Sequence, residues 1–197
     1  MREQLHENQI DFAEEVLAEE VPAGKKKKSP FRSALMSTVM MLMVAAAAAV
    51  LVANLLMPVL QIYGTSMNPT LTDGEVVVAL KGGKLERGDV IAFYYNNKIL
   101  VKRVIGTAGD KVNITADGTV YVNDELQIEP YISEKSDGDP DINLPYQVPE
   151  GKYFVIGDNR PASADSRHST IGCVAEDDIV GRLVLRVWPL SQFGTVS

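Results

Sequence analysis

The chain has 197 residues, room for one catalytic domain with short appendages. Its 19 basic against 26 acidic residues leave a formal charge of −7, an excess that repels the phosphates of a nucleic-acid partner. The single cysteine, Cys173, excludes an intramolecular disulfide, and with only two histidines there is no zinc-type ligand cluster, so neither metal nor cofactor is expected.

Residues 1 to 30 are polar and of mixed charge, with Glu14, Glu15, Glu19 and Glu20 followed by Lys25, Lys26, Lys27 and Lys28. This composition fits a cytoplasmic polar tail over residues 1–32, with a helix over residues 8 to 20. From Ser33 to Thr72 there is no charged residue, and Leu35 to Leu60 is almost entirely apolar. A helix over 33–60, rising about 1.5 Å per residue, crosses a hydrocarbon core of roughly 30 Å with room to tilt. Four lysines and Arg32 precede the run, while residues 61–70 carry no charge. The positive-inside rule then puts the N-terminus in the cytoplasm and residues 61–197 outside a cell membrane that the chain crosses once. The alanines Ala45 to Ala49 imitate the small-residue site of a cleavable signal peptide. The apolar run continues past them to Leu60, longer than a signal core, which favours an anchor.

The outer part reads as strands. Val76 to Leu80, Val90 to Tyr94, Leu100 to Ile105, Val112 to Ile114, Val120 to Val122, Tyr153 to Ile156 and Ile179 to Val187 are short runs rich in Val, Ile, Tyr and Phe. Gly82-Gly83, Asn96-Asn97, Asp117-Gly118 and Asn123-Asp124 supply turns between them. Residues 132–150, containing Asp137-Gly138-Asp139-Pro140, read as a long polar loop. No helical periodicity appears downstream of Leu60, so residues 61–197 are expected to form an all-β or nearly all-β domain. Cys173, in an apolar stretch after Gly172, reads as a packing residue. Arg87-Gly88-Asp89 reads as a turn before a strand, and Asn113-Ile114-Thr115 as strand sequence.

Two residues carry the chemistry. Ser66 lies in Gly64-Thr65-Ser66-Met67-Asn68-Pro69-Thr70-Leu71, where Gly64 and Pro69 flank a tight turn that can hold a hydroxyl at the edge of the β domain. A serine is a weak nucleophile unless a neighbouring base takes its proton. Of the two histidines, His6 sits in the tail and His168 in a polar stretch beside Ser166 and Arg167, and neither is an easy partner. Lysine is the remaining candidate, and Lys102 opens Lys102-Arg103-Val104-Ile105-Gly106 in an apolar segment. Taken singly, Ser66 could be a turn residue and Lys102 a strand-edge residue with its head in water.

Four blocks in order change that reading. They are the Ser66 block, Arg87-Gly88-Asp89-Val90-Ile91-Ala92-Phe93, Lys102 to Asp110, and Gly157-Asp158-Asn159-Arg160-Pro161-Ala162-Ser163-Ala164-Asp165-Ser166-Arg167. Together they resemble the bacterial type I signal peptidases, membrane-anchored serine endopeptidases that remove signal peptides from exported proteins; the resemblance covers roughly residues 30 to 190. It implies a signal-peptidase-type β fold, Ser66 as nucleophile, Lys102 as general base and Ser163 as the residue that hydrogen-bonds and positions the lysine. It also implies structural charge pairs of Asp158 with Arg103 and of Asp165 with Arg167. The short interval from Asp110 to Gly157 resembles the compact, Gram-positive-type form. Secretory preproteins and the lipid bilayer are the implied partners, with small side chains preferred before the cut. Some relatives place an oxyanion-binding serine two residues before the nucleophile; this chain has Gly64 there, leaving the Ser66 backbone N–H and a further donor.

The residue physics points the same way. To accept the serine proton Lys102 must be neutral, and burial among Ile99, Leu100, Val101, Val104 and Ile105 disfavours its ammonium form. Arg103 would push in the same direction unless Asp158 neutralises it. Because Ser66 follows the apolar run by a few residues, its hydroxyl is expected near the bilayer. Ile62, Tyr63, Met67, Trp188 and Phe193 are candidates for interfacial contact or for the core. Two other functions compete. A self-cleaving repressor-type protease also uses a Ser-Lys pair but needs a DNA-binding domain and a cleavable linker, neither of which is visible. An inactive relative acting as an anchored assembly factor would be expected to have lost a member of the pair, yet Ser66, Lys102 and Ser163 are all present.

Overall fold

A computed structural model describes residues 30–196. The tail, with the helix expected over 8 to 20, His6 and Lys25 to Lys28, lies outside the described residues. The first element is helix α1, Pro30–Leu56, whose stretch Ala34–Ala53 is long and apolar enough to cross a membrane. Its described side chains are exposed, as those of a lipid-facing helix are. The helix ends four residues before the apolar run does. Pro58 has no N–H to donate and its ring disfavours helical geometry in the residue before it, and the next apolar residues enter strand β1 (Val59–Gln61) instead.

Downstream of the helix the chain is β structure. The strands are β2 (Val76–Leu80), β3 (Val90–Tyr95), β4 (Lys98–Gly106), β5 (Lys111–Ile114), β6 (Val120–Val122), β7 (Glu125–Leu126), β8 (Tyr146–Gln147), β9 (Lys152–Ile156), β10 (Val174–Ala175), β11 (Ile179–Trp188) and β12 (Gly194–Thr195). They form an eight-stranded antiparallel sheet in the order β1-β2-β11-β3-β4-β9-β10, with β12 on β11, and a four-stranded sheet in the order β7-β6-β5-β8. The expected strands all appear, and the expected loop over 132–150 contains the short strand β8, which pairs with β5.

The turn chemistry sets the register. Asn96 and Asn97, with φ of 45° and 61°, close the β3–β4 hairpin between the paired residues Tyr95 and Lys98. Asn123 and Asp124 do the same between Val122 and Glu125. Both are two-residue connections with positive φ at each position, the geometry that matches the twist of the flanking strands. Arg87-Gly88-Asp89 is a turn, with Asp89 accepting the N–H of Glu86.

Three apolar clusters hold the sheets. One joins Ile62, Met67 and Leu71 to Val77, Ala79, Val90, Ala92 and Leu183. A second packs Ile91 and Phe93 with Leu85, Val104, Val155 and Val174. Strand β3 is thus buried on both faces, its even positions in one cluster and its odd ones in the other. The third covers the small sheet with Ile105, Val148, Phe154 and Ile156. Ile62 and Met67 are therefore core residues, whereas Tyr63, Trp188 and Phe193 are exposed. Cys173 is half-buried against the third cluster, and burial pushes its thiol up to about 11, which keeps it protonated and unreactive.

Candidate active site

The serine sits where the chain leaves β1 and doubles back. Gly64 adopts φ of 87°, a conformation that side chains disfavour, and its N–H is held by Asp73 Oδ1 at 2.7 Å. Asn68 N–H then bonds to the Thr65 carbonyl and Leu71 N–H to the Met67 carbonyl, at 3.1 and 2.9 Å. Because Met67 and Leu71 are buried, the turn between them is pinned to the core and Ser66 is left half-buried at its rim.

Lys102 comes from the middle of β4, opposite Ile91 of β3. It is 3% exposed, and its Nζ lies 2.7 Å from Ser66 Oγ. Burial is the largest influence on it and brings its pKa from 10.5 down to about 8. The carboxylates of Asp165 and Asp158 oppose the shift, and Arg167 adds to it. The like charge that acts on Lys102 is therefore Arg167 rather than Arg103. Successive residues of a strand project to opposite faces, and Arg103 is neutralised through two bonds to Asp158, Nε to Oδ1 at 2.9 Å and Nη2 to Oδ2 at 2.7 Å. At pH 7 a pKa near 8 leaves about one lysine in ten neutral, against about one in three thousand at 10.5.

The remaining site residues come from the segment after β9. Asn159 donates its N–H to the Ser66 carbonyl and its Nδ2 to the Thr65 carbonyl, each at 3.0 Å. This contact needs a glycine beforehand, because a Cβ on Gly157 would lie 2.2 Å from Ser163 Oγ and 2.5 Å from the Ser66 carbonyl oxygen. Asp165 binds Arg167 through two bonds of 2.8 and 2.9 Å and accepts the Gly157 N–H at 3.0 Å. Thr70, in the serine block, donates to Asp158 Oδ2 at 2.5 Å and so ties the serine turn to the Arg103 pair.

One expectation from the resemblance comes out differently. Ser163 is buried beside the site, but its hydroxyl packs over Gly157 and has no hydrogen-bond partner, so no bond to Lys102 is made. Gly64 supplies no hydroxyl to an oxyanion, and since its N–H is taken by Asp73, it is removed as a second donor.

Sequence reasoning missed a third buried ion pair, Arg160 with Glu129, and the ring of Tyr131 stacked on Arg103. It also left Arg87 and Asp110 unpaired, although they form a bidentate pair. Burial pushes the Asp110 carboxyl up, but hydrogen bonds from Arg87, Thr107 and Asn123 outweigh it and hold the group at about 2. Among the described residues no cluster of His, Cys, Asp and Glu could hold a metal ion. A cleft of about 530 Å³ opens onto the pair, with Leu60 to Gly64 on one wall and Asn97 to Lys102 on the other.

Comparison with known proteins gives consistent matches. The model of the family described as signal peptidase, peptidase S26, matches residues 35–188. The chain is 43% identical over 163 residues to signal peptidase IB of Staphylococcus aureus (strain COL), covering 73% of this chain and 84% of that protein. It is 32% identical over 174 residues to signal peptidase I of Streptococcus pneumoniae serotype 4, covering 68% and 84% respectively. A crystal structure of a signal peptidase I from Enterococcus faecalis V583 matches with a TM-score of 0.43 at 33% identity, over 51% of this chain and 97% of that one.

Proposed function

Because the chain belongs to the signal peptidase family of S26 peptidases, a family of serine endopeptidases, we propose that it cuts signal peptides from secretory preproteins at the membrane surface with Ser66 as nucleophile and Lys102 as base. The observation that carries this reading is the 2.7 Å contact between Ser66 Oγ and a lysine that burial has brought to about 8. Neutral Lys102 takes the proton of Ser66 as Oγ attacks the scissile carbonyl. The resulting oxyanion is met by the Ser66 N–H and a further donor. Lys102, now an ammonium, passes its proton to the departing amine nitrogen, which frees the mature protein and leaves the signal peptide esterified to Ser66. It then takes a proton from water, whose oxygen attacks the ester, and returns that proton to Ser66 Oγ as the acid is released.

The cleft favours an extended peptide. Lys98 to Val101 pair with β3 on one side, while β9 joins β4 only from Arg103 on, so the other backbone edge faces the cleft and can accept a substrate strand. Its residues are mostly apolar, and small side chains before the cut allow the scissile carbonyl to approach Ser66. The buried pairs Asp158–Arg103 and Asp165–Arg167 hold the framework and exchange no proton with substrate. Ser163 limits the freedom of the Lys102 amine when its hydroxyl turns toward it.

For the rest of the chain we keep a three-part arrangement: a cytoplasmic tail over 1–32, a membrane-crossing segment over 33–60 whose helical part ends at Leu56, and an extracytoplasmic domain over 61–197. One experiment tests activity and orientation together. Right-side-out membrane vesicles carrying the protein should cut an added preprotein once, after a small residue. Inverted vesicles should cut it only after detergent opens them. Equal cutting by intact inverted vesicles would reverse the orientation, and no cutting by either preparation in detergent would remove the activity.

A further inference from the structure

The segment Glu129-Pro130-Tyr131 lies in irregular chain after β7, outside the four sequence blocks, yet it touches both halves of the site. Glu129 accepts from Arg160 Nη2 at 2.6 Å and Nη1 at 3.1 Å, with the two side chains 5% and 1% exposed. Arg160 in turn donates its Nε to the Gly157 carbonyl at 3.1 Å and directly follows Asn159, the residue bonded to the Ser66 and Thr65 carbonyls. On the other side the Tyr131 ring lies 3.9 Å from the guanidinium carbon of Arg103, the neighbour of Lys102 on β4. The Tyr131 hydroxyl donates to Glu129 Oε1 at 2.8 Å and joins the two arms.

We propose that Glu129 and Tyr131 form a brace that fixes the loop carrying Ser66 against the strand carrying Lys102, and that both are positioning residues for the hydrolysis. The proposal rests on the Ser66–Lys102 reading and adds what keeps that contact short. An aromatic face on a desolvated guanidinium and a two-point carboxylate contact are among the stronger directional interactions available inside a protein. Burial and the neighbouring Glu129 raise the Tyr131 pKa, so its hydroxyl stays a donor throughout the working range. Proton transfer depends steeply on geometry, and a misplacement of about 1 Å can cost roughly a hundredfold in rate.

The test uses the full chain in detergent with a preprotein-derived peptide, and reads kcat, KM and the thermal midpoint for each variant. Tyr131→Leu should lower kcat about tenfold with KM within about twofold, because the cleft walls are untouched. Tyr131→Phe keeps the ring over Arg103 and should recover most of that loss. Glu129→Gln is nearly isosteric and should also lose kcat alone, which covers the case in which Tyr131→Leu does not fold. Val122→Ala opens a cavity in the core of the small sheet and should lower the thermal midpoint while kcat per folded molecule is kept. A kcat for Tyr131→Leu and Glu129→Gln within about twofold of the parent, or a loss reproduced by Val122→Ala at the same thermal midpoint, overturns the brace. Ser66→Ala in the same assay separates the two levels. If it is inactive while the brace variants are normal, only the brace fails; if it stays active, the Ser66–Lys102 reading fails first.

Discussion

Ser66→Ala and Lys102→Ala should each reduce preprotein cleavage by a factor on the order of a thousand or more, with the protein still folded and membrane-bound. The two side chains act as one unit across a 2.7 Å contact, so the double variant should be little worse than either single one. Lys102→Arg should be as inactive as the alanine variant, because a guanidinium stays protonated throughout the working range. Ser163→Ala should fall between these and the parent, since a less constrained lysine keeps its basicity but loses some of its aim. Cleavage assays on purified variants check all four. Near-parental turnover by Ser66→Ala or Lys102→Ala contradicts the assignment.

Asp165→Ala should produce the largest loss of stability near the site. Asp165 and Arg167 are both almost fully buried, and Arg167 also holds the carbonyls of Asp137, Arg160 and Ser163 at 3.0, 2.9 and 3.2 Å. Removing the carboxylate leaves a buried guanidinium uncompensated, which costs about 3–5 kcal/mol. For a domain of this size that corresponds to a fall of roughly 10 to 15 °C in Tm. Arg167→Leu removes the charge together with its desolvation penalty but strands Asp165, so it should also destabilise. Thermal unfolding followed by circular dichroism reads both variants. A Tm within about 2 °C of the parent for Asp165→Ala would mean that the pair carries no structural burden. The loss also bears on catalysis: Asp165 is the carboxylate that most favours protonated Lys102, so without it the lysine pKa should move further down.

How much of this was legible in the sequence depended on the length and chemistry of each segment. Strands with several β-branched residues, such as Val76–Leu80 and Val90–Tyr95, declared themselves, and the paired asparagines Asn96 and Asn97 marked their hairpin. Strand β1 did not, because Val59 and Leu60 continue an apolar helix without a change in composition, and only Pro58 marks the break. Strands β8, β10 and β12 have two residues each, too few for any alternation to show. In the site, Ser66 and Lys102 were legible through block spacing and through the shortage of histidine. The identity of the like charge was not, because a linear sequence places Arg103 beside Lys102, whereas the strand turns it to the other face and the fold brings up Arg167 instead. Glu129 and Tyr131 gave no signal at all. Their roles come from burial against Arg160 and Arg103, residues 31 and 28 positions away in one direction or the other, and no periodicity encodes that meeting.

The central claim is that a neutral lysine is the base, and the pH dependence of kcat/KM tests it most directly. Below its pKa the neutral fraction of Lys102 falls tenfold per pH unit, so the free-enzyme rate must climb with pH and level off once the amine has lost its proton. Initial rates between about pH 5 and 11 should show that limb centred near 8, the value to which burial brings Lys102. The limb should be unmoved in His168→Ala and displaced to lower pH in Asp165→Asn, whose lost carboxylate no longer favours the ammonium. A limb centred near 6.5, the range of an ordinary histidine, that disappears in His168→Ala would contradict the account and make His168 the base.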